Sequence, residues 1–566
     1  MSRRCRKRHW AAVWVVLLAA GVRAPARTIS VGPGSSHDFA TIQAALNDAS
    51  DGDRIIVADG TYTGNGNRDI DFLGKAVVVQ SENGPEQCII DCNGSQQEPH
   101  RGFLFQNAED ANSVLRGVTI RNGYAIPYGG AIYCRGSGPT IAECKLCENR
   151  AYKIGGAMYN ELAGPTVTDC RFLSNSAESG GAVASASGEP MLSNCTFIAN
   201  SAQTGGGAIY SSLTGATLLN CTFVNNSAEH GGAVFEHRGS SRLTDCKFVG
   251  NGAHSGAGIL NYESEPVLAG CSFEWNLAVG GGGGLYNSYS EPTLVGCGFK
   301  GNRAAWGGGI ENYAGAARLS SCTFAGNRAD WGGAMRDYAS SVILTNCLLS
   351  GNIARTAGGI YNRDGTELVV TNCTFADNSA DQGSALAFDS HKQKYPGSAE
   401  ATNAIFRNGG NELWNNDDSQ IVIRYSDVQG GWPGEGNFDS DPCFADAGYW
   451  DANSTALDAN DDFWISGDYH LKSRGGRWNQ SNRTWMNDEV SSPCIDAGCI
   501  ISPVGFEPFP NGGIVNLGAY GGTAEAAKSF FGPRTCQKAV AGDINGDCRV
   551  DLADFTIMAA HWASRR

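Results

Sequence analysis

The sequence predicts an all-β chain: a right-handed parallel β-helix solenoid with coils of about 25 residues, a short N-terminal capping helix and a small C-terminal α-helical, EF-hand-like segment. Three observations predict it. Ten cysteines, Cys144, Cys170, Cys195, Cys221, Cys246, Cys271, Cys297, Cys322, Cys347 and Cys373, recur at intervals of 25 or 26 residues. Each is followed five residues later by Asn, from Asn149 to Asn378, and two residues after that by Ala, from Ala151 to Ala380. Glycine supplies 76 of 566 residues, about 13% against a usual ~7%. With 42% hydrophobic residues, that excess implies many tight turns between short buried strands, and it excludes wholesale disorder.

The elements follow in chain order. Residues 1–26 combine a basic start (Arg3, Arg4, Arg6, Lys7, Arg8), an apolar run at 11–22 and the Ala24-Pro25-Ala26 pattern. We read them as a secretory signal peptide, because twelve apolar residues are too few to span a bilayer. Its removal takes the net charge from −15 to −21, and no later run is long enough for a membrane helix, so a secreted or cell-surface location is expected. Acidity excludes nucleic acid as a partner, which needs a basic surface. Residues 27–124 should hold a cap and the first coils, with a helix at 40–49 over the open end and a strand at 54–58. Residues 125–428 are the regular repeats. Residues 429–532 read as an irregular end of the β-helix region, and 533–566 as a separate segment.

Within a repeat, three short strands joined by turns fit the 25-residue period, with equivalent residues stacked at ~4.8 Å. Cys and the residue two later, Phe in eight of ten repeats, point into the core. The position three before Cys is always Ile, Leu or Val, although its parity is opposite, so a bend must lie between. The Asn row reads as an internal ladder satisfying buried turn groups. The ladder cysteines are read as buried thiols; disulfides between coils and zinc ligation are the alternatives. The off-ladder pairs Cys494–Cys499 and Cys536–Cys548 are better placed for bridges.

The residue after each Gly-Gly-Ala-aliphatic motif is expected to face solvent. In ten coils it is Tyr133, Tyr159, Ala184, Tyr210, Phe235, Leu260, Tyr286, Glu311, Arg336 and Tyr361. Trp306 and Trp331 share one position in adjacent coils. Stacked aromatics at coil spacing could hold sugar rings, or simply stabilise neighbouring strands. Glu311, Arg336 and Asp337 lie close to the Trp pair in the coil register, where a general acid and base could be assembled.

Two resemblances rest on these residues. GGAI at 129–132 and 206–209, with FLSN, FIAN and FVNN at 172–175, 197–200 and 223–226, resembles the passenger repeats of polymorphic outer-membrane proteins and secreted bacterial β-helix proteins with pectin-lyase-like folds. YSDVQGG, GDYHLKS, SSPCIDAG and VNLGAYGG, within 425–523, resemble the end of bacterial β-helix proteins with choice-of-anchor C-termini, frequent in planctomycetes. Together these cover roughly 28–532. Residues 542–562, GDINGDCRVDLADFTIMAAHW, resemble a type I dockerin repeat. That resemblance implies a calcium loop with Asp543, Asn545, Asp547, Arg549 through its carbonyl, Asp551 and Asp554 as ligands. Cys548 stands where EF-hands have Gly, and a single loop is present where cohesin-binding dockerins carry two, so a cohesin-like partner is less expected than calcium. The polygalacturonase motifs NTD, GHG and RIK are absent, and Asp417-Asp418 and Asp461-Asp462 are bare dipeptides in polar loops. The expectation is therefore a secreted β-helix that binds glycans or other surface polymers; the alternative is a polysaccharide lyase or glycoside hydrolase.

Overall fold

The computed structural model describes residues 25–454, 462–531, 542, 544 and 550–563. From Thr28 to Val428 the chain winds as a parallel β-helix. Most regular coils carry four strands, one more than expected. The coil at 217–237 shows the order: Thr217–Leu219, Thr222–Val224, Ser227–His230 and Val234–His237. These strands build a first sheet of 16 strands, a second of 15, a third of seven and a fourth of 14. The third sheet continues past its seventh strand through single bridges, Leu277 to Arg303 and Arg303 to Arg328. Register is kept along the second and fourth sheets, where Phe223 pairs with Phe248 and Tyr313 with Tyr338, and shifts locally in the third. The extra strand arises because the residues after the ladder Asn run straight before the glycine pair turns them.

Left-handed residues turn each corner. In one coil they are Asn220 (φ 51°), Asn225 (φ 53°), Gly231 (φ 62°) and Arg238 (φ 53°). Asn and Asp tolerate this conformation best after Gly, which explains their frequency before the ladder Cys. The second glycine of each pair is needed for a different reason: a Cβ on Gly207 would lie 2.1 Å from the carbonyl of Gly232 in the next coil.

Inside, Phe172, Phe197, Phe223, Phe248, Phe273, Phe299 and Phe324 stack face to face, centroids 4.7–4.9 Å apart. The Asn row is internal, as expected. Asn251 donates its backbone N–H and its Nδ2 to Asn276 Oδ1 (both 3.0 Å) and Nδ2 also to the Phe223 carbonyl (3.1 Å). Its own Oδ1 accepts both donors of Asn226. The ladder cysteines are buried and unbridged, their thiols donating to backbone carbonyls, as Cys170 does to Thr168 (3.2 Å). Cys494 and Cys499 are unbridged too, against expectation: the Cys494 thiol turns to Asp427 and the Cys499 N–H to Asn403. Cys536 and Cys548 lie outside the described residues.

At the N-terminal end helix α1 (Ile42–Asp48) buries Ile42, Ala45 and Leu46 over the first coil, with Thr41 as its N-cap. Residues 1–24 of the expected leader lie outside the described residues. At the other end the described residues of 443–531 fold back along the second sheet, with antiparallel strand pairs between residues 444 and 486. Trp464 covers Gly326 and Gly351, where a Cβ would meet its ring or Cβ at 2.2–2.4 Å. Tyr469 donates to Asp377 (2.6 Å), and Asn346 and Asn372 donate to the Gly521 carbonyl. The phrases GDYHLKS and VNLGAYGG thus serve this attachment. Among the described residues no helix is long and apolar enough to cross a membrane. Helix α2 (Leu552–Ala563) is the C-terminal helix expected from the sequence.

Candidate functional site

The residues expected to form an exposed stripe do point away from the core, but most are covered. The third sheet meets the fourth at an elbow, and side chains leaving the fourth sheet are roofed by the end of the third. Phe235 lies against Gly205, and the Glu311 carboxylate occupies the space a Cβ on Gly281 would take. Ala184, Leu260 and Tyr159 are buried, Tyr361 is 2% exposed, and Tyr133, Tyr210 and Tyr286 are half-buried. Tyr133 and Tyr159 stack at 6.0 Å, and the Tyr133 hydroxyl donates to Glu161 (2.7 Å). Trp306 remains 41% exposed, whereas Trp331 is half-buried among Tyr361, Ala357, Ala387 and Trp414. The two tryptophans stand in register in adjacent coils and differ in exposure.

Glu311, Arg336 and Asp337 are not one site. Alternation along Met335–Tyr338 sends Arg336 outward and Asp337 inward, where Asp337 is fully buried and accepts from Asn312 Nδ2 (2.7 Å). Asp337 belongs to a second internal amide row, Asn261, Asn287 and Asn312, which the sequence reading missed. Its signal was there: Asn, Asp, Ser or Glu directly after the covered position in most coils. Outside, Glu311 and Arg336 form a buried ion pair. Burial raises Glu311 to about 7 against the pull of Arg336, and raises Asp337 to about 7 as well. The strand separates the two carboxyl groups, so they cannot serve as the acid and base of one reaction.

A different row is open. The other outward position of the fourth sheet carries His237, Tyr262, Tyr313 and Tyr338, and at Ser288 the row is completed by the following corner residue, Tyr289. Ring centroids follow one another at 5.6, 6.2, 5.6 and 5.0 Å along the axis. Tyr289 is 53% exposed, and the others are half-buried. Arg336 lies between this row and the elbow, 5.4 Å from the Trp306 ring and 5.5 Å from Tyr338. The arginines of the fourth sheet and its corner along this row each meet a carboxylate: Arg238 with Glu263, Arg336 with Glu311, Arg363 with Asp364. The result is a shallow, lengthwise, electrically balanced aromatic platform. Tyr262, Tyr313 and Tyr338 lie two residues beyond the covered position and Tyr289 three, so the sequence reading, fixed on the residue directly after the glycine motif, passed over them.

Of the expected calcium ligands, Asp543, Asn545, Asp547 and Arg549 lie outside the described residues. Asp554 is buried at the start of α2, its oxygens accepting the N–H of Ile544 (2.6 Å) and Asp551 (2.8 Å). Asp551 accepts from Ala553 (2.8 Å). The set is one of oxygen donors, as a hard cation requires. Among the described residues no group of three or more His, Cys, Asp or Glu is placed to hold a metal ion.

Comparison with known proteins agrees with the architecture. Residues 443–498 match a family described as disaggregatase related. No curated protein matches the chain. Among solved structures, the polygalacturonase from Erwinia carotovora ssp. carotovora is 11% identical, covering 71% of this chain and 97% of its own, with a TM-score of 0.28. Pectate lyase Pel9A is 12% identical over 87% of this chain and 96% of its own (TM-score 0.20). Tailspike protein 3 of bacteriophage CBA120 is 11% identical over 79% and 65% (TM-score 0.27). Likeness at this level says nothing about activity. The repeats themselves are matched over 54–226, 102–273, 166–324 and 267–428, overlapping spans that run from 54 to 428 without a gap, and by these the chain belongs to the family of right-handed β-helix regions.

Proposed function

We propose that this protein is a binding protein for extended neutral polysaccharides, seated lengthwise on the outer face of the fourth sheet. The observation that carries the reading is the open row Tyr262, Tyr289, Tyr313 and Tyr338 at coil spacing. A polymer can touch several coils at once, and linked weak contacts then add up. Paired arginines leave the platform without free positive charge, and the acidic chain repels polyanions. Stacking one sugar face on one ring buries some tens of Å² of apolar surface, about 1 kcal/mol at ~25 cal/mol per Å². Replacing Tyr289 and Tyr313 together by Ala should therefore weaken binding on the order of tenfold or more in affinity electrophoresis through neutral glycans, with little change in melting temperature. Retention identical to wild type would place the site elsewhere. Release of reducing or unsaturated ends from the same glycans would instead favour the lyase or hydrolase reading.

We further propose that residues 543–554 bind calcium, through Asp543, Asn545, Asp547, the Arg549 carbonyl, Asp551 and Asp554. Titration calorimetry of the full chain should show a calcium site that disappears in Asp543→Ala/Asp547→Ala. No calcium heat in the wild type would remove this assignment.

A further inference from the structure

We propose that Arg336 is the specificity-determining residue of the tyrosine platform, its planar fork reading the two neighbouring hydroxyl oxygens of a sugar unit with a free vicinal diol, and that Glu311 is the positioning residue that holds the fork. This rests on the platform reading above.

The ion pair stands where the fold does not need one. The same covered position holds Leu260 and Tyr286 in the coils before it, and Tyr361 and Ala387 after it. A buried ion pair seldom stabilises a fold more than apolar residues of similar size. The site is also built around the pair. In the run of five glycines at 280–284, Gly282 has a left-handed φ, and Gly283 and Gly284 lie against backbone of the next coil. Gly281 has neither reason: what it leaves room for is the Glu311 carboxylate, 1.5 Å from where its Cβ would be. Glu311 spends one oxygen on Arg336, and its other oxygen, Oε2, is buried with no partner. The carboxylate thus acts on Arg336 and on no other described group.

Arg336 in turn lies between Trp306 and Tyr338, both of which reach solvent, and 11% of its side chain is accessible. A guanidinium offers five N–H groups in one plane, which suits two adjacent oxygen acceptors; an ammonium does not. Because Glu311 balances its charge, the fork favours hydroxyl oxygens over a carboxylate or sulfate. A ring stacked on Tyr338 would present its edge to this fork.

The test compares two neutral probes. Hexasaccharides of 1,4-linked glucose keep the 2,3-diol on every unit, whereas those of 1,3-linked glucose lack a vicinal diol on their internal units. Wild type should bind the 1,4-linked hexasaccharide at least tenfold more tightly, by calorimetry. In Arg336→Lys and Arg336→Met the ratio should fall to within about twofold, while binding of the 1,3-linked probe stays as in wild type. Glu311→Gln, which keeps the shape of the side chain, should lose most of the ratio even if the arginine variants fold poorly. Equal wild-type binding of both probes would overturn the role of Arg336 and leave the platform standing. So would a ratio that survives in the variants. Binding of neither probe by wild type would overturn the platform reading and this inference with it.

Discussion

Asp337 stands in a row of amides where a side-chain donor is needed. Asn312 donates to its Oδ1, but its Oδ2 and the Oδ1 of Asn362, in register in the next coil, are both buried without a partner. A proton on Asp337 resolves this, letting the acid donate as an asparagine would. The facing groups are Asn312 and Asn362 inside, with Arg336 and Glu311 across the strand. Burial raises the carboxyl to about 7, above its unfolded ~3.9. The folded state then keeps a proton that the unfolded state has lost, so stability falls as pH rises from about 4 to about 7 and levels off above. Glu311 acts in the same direction. Asp337→Asn should flatten part of that slope and gain about 1–3 kcal/mol at pH 8, by urea unfolding at pH 5 and 8. An unchanged slope would mean the carboxyl is ionised in the fold. The Asn251 ladder, in contrast, was legible from spacing alone. Asn251→Leu should leave the Asn226 N–H without its acceptor, take one of the two bonds of Asn226 Nδ2 and remove a donor from the Phe223 carbonyl, costing about 1–3 kcal/mol. A melting temperature equal to wild type would contradict the bonding described. Asp337 was misplaced because nearness along the strand was taken for a shared face, and alternation puts adjacent residues on opposite faces.

The third strand of the coil is the element that the sequence hid. Its residues, such as Ser227–His230, are polar and lack the alternating apolar pattern of a buried strand. Missing it made an outward row look exposed when an elbow covers it. The attachment of the C-terminal region left a fainter trace, glycine at the same corner in three successive coils, Gly301, Gly326 and Gly351. Trp275 lies on the first and Trp464 on the other two. Arg328 places its guanidinium 4.3 Å over Trp450 and bonds the Asp462 carbonyl. Trp464→Ala should remove about 3–5 kcal/mol of packing and expose 443–531 to limited proteolysis, while a fragment spanning 54–428 persists. Unchanged cleavage of this region would show that the hydrogen bonds from Asn346, Asn372 and Tyr469 hold it unaided.

At the scale of the molecule the solenoid was legible because every coil repeats the same solution, and the platform was not because it uses what differs between coils. A solenoid's stability is roughly a sum over neighbouring coils, so outward positions can vary coil by coil without altering the fold. Five successive coils vary toward aromatic rings, from His237 to Tyr338. Four steps of ~4.8 Å make the row ~19 Å long. Each step is close to the length of one sugar unit, so a bound chain should gain contacts steadily over about four or five units and none beyond. Affinity for neutral oligosaccharides should therefore rise from the disaccharide to about the pentasaccharide, by about fivefold per added stacked unit at ~1 kcal/mol each, and then stay level to the octasaccharide. Tyr289→Ala, in the middle of the row, should lower the plateau and leave the disaccharide nearly unaffected. Calorimetry across the series decides it: equal affinity for the disaccharide and the octasaccharide would mean a ligand that crosses the row rather than following it.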